Sequence, residues 1–135
     1  MCGICGQFRF DGKKVSSKSL DMMMSKLARR GPDSSGKWIE GVIGFGHQRL
    51  SIIDLSNLGS QPMVDEKLGL TLVFNGTIYN YKSLRAILVS LGYIFFSNSD
   101  TEVIIKAYHY WGVECLERLD GMFAFAIWDE ASQKL

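Results

Sequence analysis

The chain has 135 residues, enough for one domain with a substantial core; 47% are hydrophobic, 21% charged, and the net charge is +1. So near-neutral a balance gives no electrostatic case for a nucleic acid or an anionic membrane surface, and apolar runs such as 122–128 are far too short to span a bilayer. Three cysteines, an odd number without a signal-peptide pattern, predict a reducing cytoplasm rather than a disulfide framework.

Residues 4–10 read as a strand closed by the Asp11-Gly12 turn. Ser16–Ser19 offer N-cap hydroxyls to a helix whose apolar face is Leu20, Met23, Met24 and Leu27, and Gly31-Pro32 ends it. A hairpin follows, with strands at 38–39 and 42–45 turning near Glu40-Gly41. The stretch around Gly59-Ser60-Gln61-Pro62-Met63 reads as irregular. A strand over 70–74 runs up to Asn75-Gly76, and Asn80 stands where it can cap a second helix striped by Tyr81, Leu84, Leu88 and Leu91. A short strand is expected at 93–96. Ser99 and Glu102 then make a capping-box pattern before a third helix carrying Val103, Ile104, Ala107, Tyr108 and Trp111. A short helix at 113–119 leads to the apolar run 122–128, a strand buried on both faces. Mixed strands and helices of this kind predict a layered sandwich. A buried strand near the chain end would want a further neighbour, so the expectation is an N-terminal piece of a longer protein.

Cys2 carries the chemistry. If Met1 is removed, one residue bears both a thiol, with an ordinary pKa of about 8.5, and an α-amine at about 7.7–8.0, and the amine can take the thiol proton directly or through a water. The bland reading is a small residue entering the first strand. Cys2 and Cys5 also have CxxC spacing, but Cys115 stands alone, His47 and His109 lack ligand spacing with it, and no metal site is expected. Cys5 reads as core filler, and His47 and His109 as packing or capping residues. Asn75-Gly76 is balanced between a type I′ hairpin turn and a pair of oxyanion donors at a strand end. Arg49 offers a two-donor fork for a carboxylate, against the plainer reading of a surface ion pair with Asp54. Asp100, at a helix start, suits either the helix dipole or a substrate ammonium.

Eight stretches together resemble the N-terminal, class II glutamine amidotransferase domain of asparagine synthetases: Met1-Cys2-Gly3-Ile4, Arg30-Gly31-Pro32-Asp33, Arg49-Leu50-Ser51-Ile52-Ile53-Asp54, Gln61-Pro62-Met63, Phe74-Asn75-Gly76, Ile78-Tyr79-Asn80, Ser99-Asp100-Thr101-Glu102 and Gly121-Met122-Phe123-Ala124-Phe125-Ala126. They fall in the family's order and cover essentially the whole chain. The resemblance implies an α+β fold, a four-layer αββα sandwich of the N-terminal-nucleophile type, here incomplete at its C-terminus. It implies a glutaminase in which Cys2 attacks the glutamine side-chain amide, Asn75 and Gly76 hold the oxyanion, and Arg49, Asp100, Ile52 and Thr77 contact the substrate. No cofactor is implied for this domain; ATP and Mg would serve a C-terminal synthetase domain, whose Ser-Gly-Gly phosphate loop is absent here. A homodimer stays open. Three departures stand out: Thr77 where the family has Glu, Arg29 where it usually has His, and the early stop. The rival readings are an amidotransferase serving another ammonia acceptor and a non-catalytic relic or binding module of the same fold.

Overall fold

A computed structural model describes residues 2–135. Its strands form two three-stranded antiparallel sheets. In the first, β3 (Ile43–Arg49) lies between β1 (Gly3–Phe8) and β2 (Ser34–Glu40); in the second, β5 (Leu70–Ile78) lies between β4 (Met63–Asp65) and β6 (Gly121–Asp129). Helix α1 (Ser17–Leu27) covers the outer face of the first sheet, and α2 (Tyr81–Ser90) and α3 (Asp100–Trp111) cover the outer face of the second. The result is the expected αββα sandwich.

Strand alternation explains the layering. Along β3, Ile43, Phe45, His47 and Arg49 turn toward the second sheet, while Gly44 and Gly46 turn toward α1. A Cβ on Gly44 would sit 2.8 Å from Leu20, and one on Gly46 would sit 2.6 Å from Met24, so glycine lets the helix lie close on the strand. Leu20 and Met24 are the buried residues of α1, and Ser16 Oγ caps it by accepting from Ser19 N. The outer core of the second sheet joins Leu72, Phe74 and Ile78 to Leu84, Leu88, Val103, Ile104 and Ala107. Between the sheets, Ile43, Phe45, Val73 and Trp128 form an apolar layer with Ile4, Phe8 and Trp38 against it.

Several local expectations change. Asn75-Gly76 is not a hairpin turn: β5 continues to Ile78, paired residue for residue with β6 down to Gly121. Glycine is needed at 76 because a Cβ there would sit 2.2 Å from Met122 O. Residues 93–96 are not a strand; Phe96 N and Ser97 N donate to the Glu102 carboxylate, so no ladder forms. Ser99 Oγ does accept from Glu102 N, but this use of the Glu102 carboxylate leaves the capping box half made. Asn80 occupies the N-cap position of α2 without capping it; its side chain donates to Arg118 O and accepts from Asp120 N. The segment Gly112–Arg118 is 3₁₀. β4 lies hidden at the end of the irregular-looking stretch, because it is only three residues long. β6 is buried only at Ile127 and Trp128. Met122 is 67% exposed, because β6 is an edge strand whose one partner among the described residues is β5.

Candidate active site

At one end of the inter-sheet layer the side chains turn polar and a cavity of about 180 Å³ opens. That is below the ~300–1,000 Å³ of drug-sized pockets and suits a small metabolite. Every residue singled out from the sequence lines it: Cys2, Arg49, Ile52, Asn75, Gly76, Thr77 and Asp100. They come from the N-terminal segment, the end of β3 with its following loop, the C-terminal part of β5 and the first turn of α3.

Cys2, Arg49 and Asp100 are held by backbone groups. Leu50 N donates to Cys2 Sγ at 3.3 Å, and the Cys2 carbonyl accepts from Arg30 Nε at 3.1 Å. Arg49 is buried and makes no side-chain ion pair with Asp54; its guanidinium donates instead to the carbonyls of Ser56, at 3.0 Å, and Asp54. The Asp54 carboxylate is engaged by Ser56 Oγ, Ser56 N and Asn98 N, with the Ser56 hydroxyl foremost in holding its pKa below the usual carboxylate range. Asp100 Oδ2 accepts from Ile78 N at 3.0 Å; burial pushes its pKa up against the pull of these backbone donors. Cys5 points to the other face of β1, toward Gly46 O, so Cys2 and Cys5 do not converge. Among the described residues no group of three or more His, Cys, Asp or Glu is placed to hold a metal.

The wall made by β5 has a particular edge. β4 ends at Met63, opposite Leu72, so the N–H groups beyond it on that edge have no strand partner. Phe74 N donates to Gln61 Oε1 at 2.6 Å, and Ile78 N donates to Asp100. By strand alternation Gly76 N–H, between them, points the same way. Beside it, Asn75 Oδ1 is buried without a hydrogen-bond partner among the described residues. The donors this wall can turn to a developing negative charge are the Asn75 amide N–H and the Gly76 N–H, since Oδ1 only accepts.

Sequence reasoning missed the supports. A Cβ on Gly59 would sit 2.6 Å from Arg49 Nη2, so glycine gives the guanidinium its room. A Cβ on Gly31 would sit 2.2 Å from Gln48 O, and Asp33 accepts from Ser51 N while its own N–H donates to Arg49 O. The Arg-Gly-Pro-Asp stretch thus ties Cys2 to the loop after β3. Both motifs were visible as residues, but their meaning lies in contacts with distant segments.

This architecture is the N-terminal-nucleophile type of α+β sandwich. It is similar to the solved glutamine phosphoribosylpyrophosphate amidotransferase of B. subtilis, with a TM-score of 0.77 covering 96% of this chain and 35% of that one; at 20% identity the likeness is one of fold. The family model for the glutamine amidotransferase domain matches residues 1–135, and the chain belongs to that family of enzyme domains. It is 42% identical over 133 residues to asparagine synthetase [glutamine-hydrolyzing] 3 of Bacillus subtilis, covering 96% of this chain and 22% of that protein. It is also 42% identical over 127 residues to amidase chry2 of Gibberella zeae, covering 93% and 19%. The chain therefore spans about a fifth of the length of these relatives. No helix among the described residues is long and apolar enough to cross a membrane.

Proposed function

We propose that the chain is the glutaminase portion of an asparagine-synthetase-like amidotransferase. The observation that carries this reading is the convergence of Cys2, Arg49, Asn75, Gly76 and Asp100 on one small cavity. Cys2 Sγ attacks the side-chain carbonyl carbon of glutamine, its proton passing to the Cys2 α-amine. The carbonyl oxygen becomes an oxyanion facing the Asn75 amide and Gly76 N–H. Collapse expels the amide nitrogen, which takes up the proton and leaves as ammonia, and a glutamyl thioester remains. Water then attacks the thioester, releasing glutamate and the free thiol. The buried Arg49 guanidinium grips the glutamine α-carboxylate and Asp100 the α-ammonium; Ile52 and Thr77 complete the wall.

The mechanism requires a free amine on Cys2, hence removal of Met1, which lies outside the described residues. Released ammonia goes to an acceptor bound by a C-terminal synthetase portion, such as an ATP-activated aspartate. Relatives of equal identity carry the names of an asparagine synthetase and an amidase, which supports placing acceptor choice outside this chain. ATP and Mg belong to that portion, and no step in the chemistry above uses them.

A second reading, a non-catalytic relic of the fold, draws on Thr77, which puts a neutral side chain where the resemblance expects a carboxylate. Intact mass before and after exposure to the glutamine-analogue electrophile 6-diazo-5-oxonorleucine separates the two. The glutaminase reading expects a chain lacking Met1 and one adduct on Cys2 that Asn75→Ala abolishes. A processed chain that takes no adduct favours the relic.

A further inference from the structure

His47 is fully buried between the sheets, on the face of β3 that also carries Arg49. Its Nε2 lies 3.2 Å from Phe74 O, and since a carbonyl only accepts, Nε2 carries the proton. Among the described residues this is the only side-chain hydrogen bond joining a strand of one sheet to a strand of the other. It falls on the residue before Asn75. It also falls on the edge of β5 that β4 leaves open, where Gln61 Oε1 takes the Phe74 N–H at 2.6 Å. Two side chains thus do for Phe74 what a neighbouring strand does elsewhere. Farther along, Asp100 does the same for Ile78, and Gly76 N–H is left between the two braces.

We propose that His47 is a positioning residue for the oxyanion pair: by holding the Phe74 carbonyl through Nε2–H, it sets the direction of the Asn75 amide and the Gly76 N–H. The proposal rests on the glutaminase reading and adds to it a residue that touches no substrate. Nδ1 is buried and has no partner among the described residues, so the ring has one working atom. Burial, with the Arg49 charge nearby, brings its pKa down to about 4, which keeps the imidazole neutral and in the donating tautomer at neutral pH.

The test compares His47→Gln, whose amide nitrogen can reach where Nε2 was, with His47→Asn, which is too short, and with His47→Phe, which has no donor. Glutamine hydrolysis and Cys2 alkylation by iodoacetamide are both followed, because displacement of iodide builds no oxyanion. For Asn and Phe, kcat should fall about tenfold or more with KM within about threefold, and Gln should recover most of the loss. Alkylation should stay at the wild-type rate throughout. The proposal is overturned if kcat is unaffected, if the loss sits in KM, if alkylation falls in step, or if Gln is no better than Asn. Should Phe fail to fold, the Gln and Asn pair decides. Should the wild type not hydrolyse glutamine, the glutaminase reading falls by itself. Positioning is then read from the Asn75 side-chain amide signals by NMR: they should move in His47→Asn and stay in His47→Gln, and unmoved signals in His47→Asn sink it.

Discussion

The two ends of the layer between the sheets are built from the same strands by the same alternation, yet they hold opposite chemistry. At one end Ile43, Phe45, Val73 and Trp128 close against each other, with Phe8 against Trp128 at 5.6 Å and Trp38 stacked on Phe45 at 5.8 Å. At the other, two residues farther along β3 and β5, stand His47 and Asn75, with Arg49 and Thr77 beyond. Apolar groups fill their end and exclude water, which stabilises the sandwich. Polar groups cannot pack that way, and each buried one needs a partner. Backbone carbonyls and N–H groups supply most of these, and Asn75 Oδ1 and His47 Nδ1 are left over among the described residues. A single change at one end should therefore read out in turnover, and at the other in stability.

The largest separation is expected for Cys2→Ala. Glutamine turnover should fall by about 10⁴-fold or more, while the melting temperature stays within about 2 °C, since a half-buried thiol adds little to the core. A matching drop in both would mean that Cys2 is a packing residue and would collapse the contrast. The opposite pattern is expected for Phe45→Ala, whose ring is 2% exposed. Urea unfolding should show a loss of about 3–5 kcal/mol from the cavity created. Protein that remains folded should keep its reactivity toward the diazo analogue.

The apolar end was legible from period-2 and period-3.6 patterns, because burial is a property that residues carry locally. α1 was read nearly in full for that reason, whereas β3, expected over 42–45, runs on to Arg49. The residue proposed as nucleophile stood out too, since only a terminal cysteine joins thiol and amine in one residue. What stayed hidden depends on partners distant in the chain. Asn75-Gly76 carries a genuine local turn signal, and pairing with β6 overrides it. Residues 93–96 look strand-like, but Tyr93 N turns back to Leu88 O, and the Glu102 carboxylate takes the N–H groups of Phe96 and Ser97. Gly59 and Gly31 read as loop punctuation until Arg49 and Gln48 are placed beside them. His47 reads as a packing residue, and its hydrogen bond depends on where a strand 27 residues away stops being paired.

The polar end should also leave a mark on stability, through pH. His47 has its pKa lowered from 6.5 to about 4, so between those values the unfolded chain binds more protons than the folded one. Stability must then fall as pH drops from about 6.5 to about 4, by up to about 3 kcal/mol, and level off below. Asp100 acts the other way, because its raised pKa makes protonation easier in the folded chain and adds stability on acidification. The slope belonging to His47 is therefore the difference between wild type and His47→Gln in paired denaturant titrations. Parallel curves would show that the imidazole is hydrated, or already charged, in the folded protein.

The smallest expected effect bears on Asp100, the carboxylate proposed to hold the ammonium. Thr77 sits on the cavity-facing side of β5, paired with Met122, which is 67% exposed, so a longer side chain has room. Thr77→Glu would add a second carboxylate beside Asp100 at the place where the proposed α-ammonium lies. One charge-assisted hydrogen bond is worth roughly 1.5–3 kcal/mol, so KM for glutamine should fall about 10- to 100-fold with kcat little changed. The gain should weaken as salt rises if the new carboxylate acts through solvent, and persist if it closes on a desolvated ammonium. An unchanged or higher KM would mean that Asp100 alone already satisfies the ammonium, or that the ligand of this cavity carries no positive charge there. The second case is separable: glutamine and its α-desamino analogue would then bind equally well to the wild type.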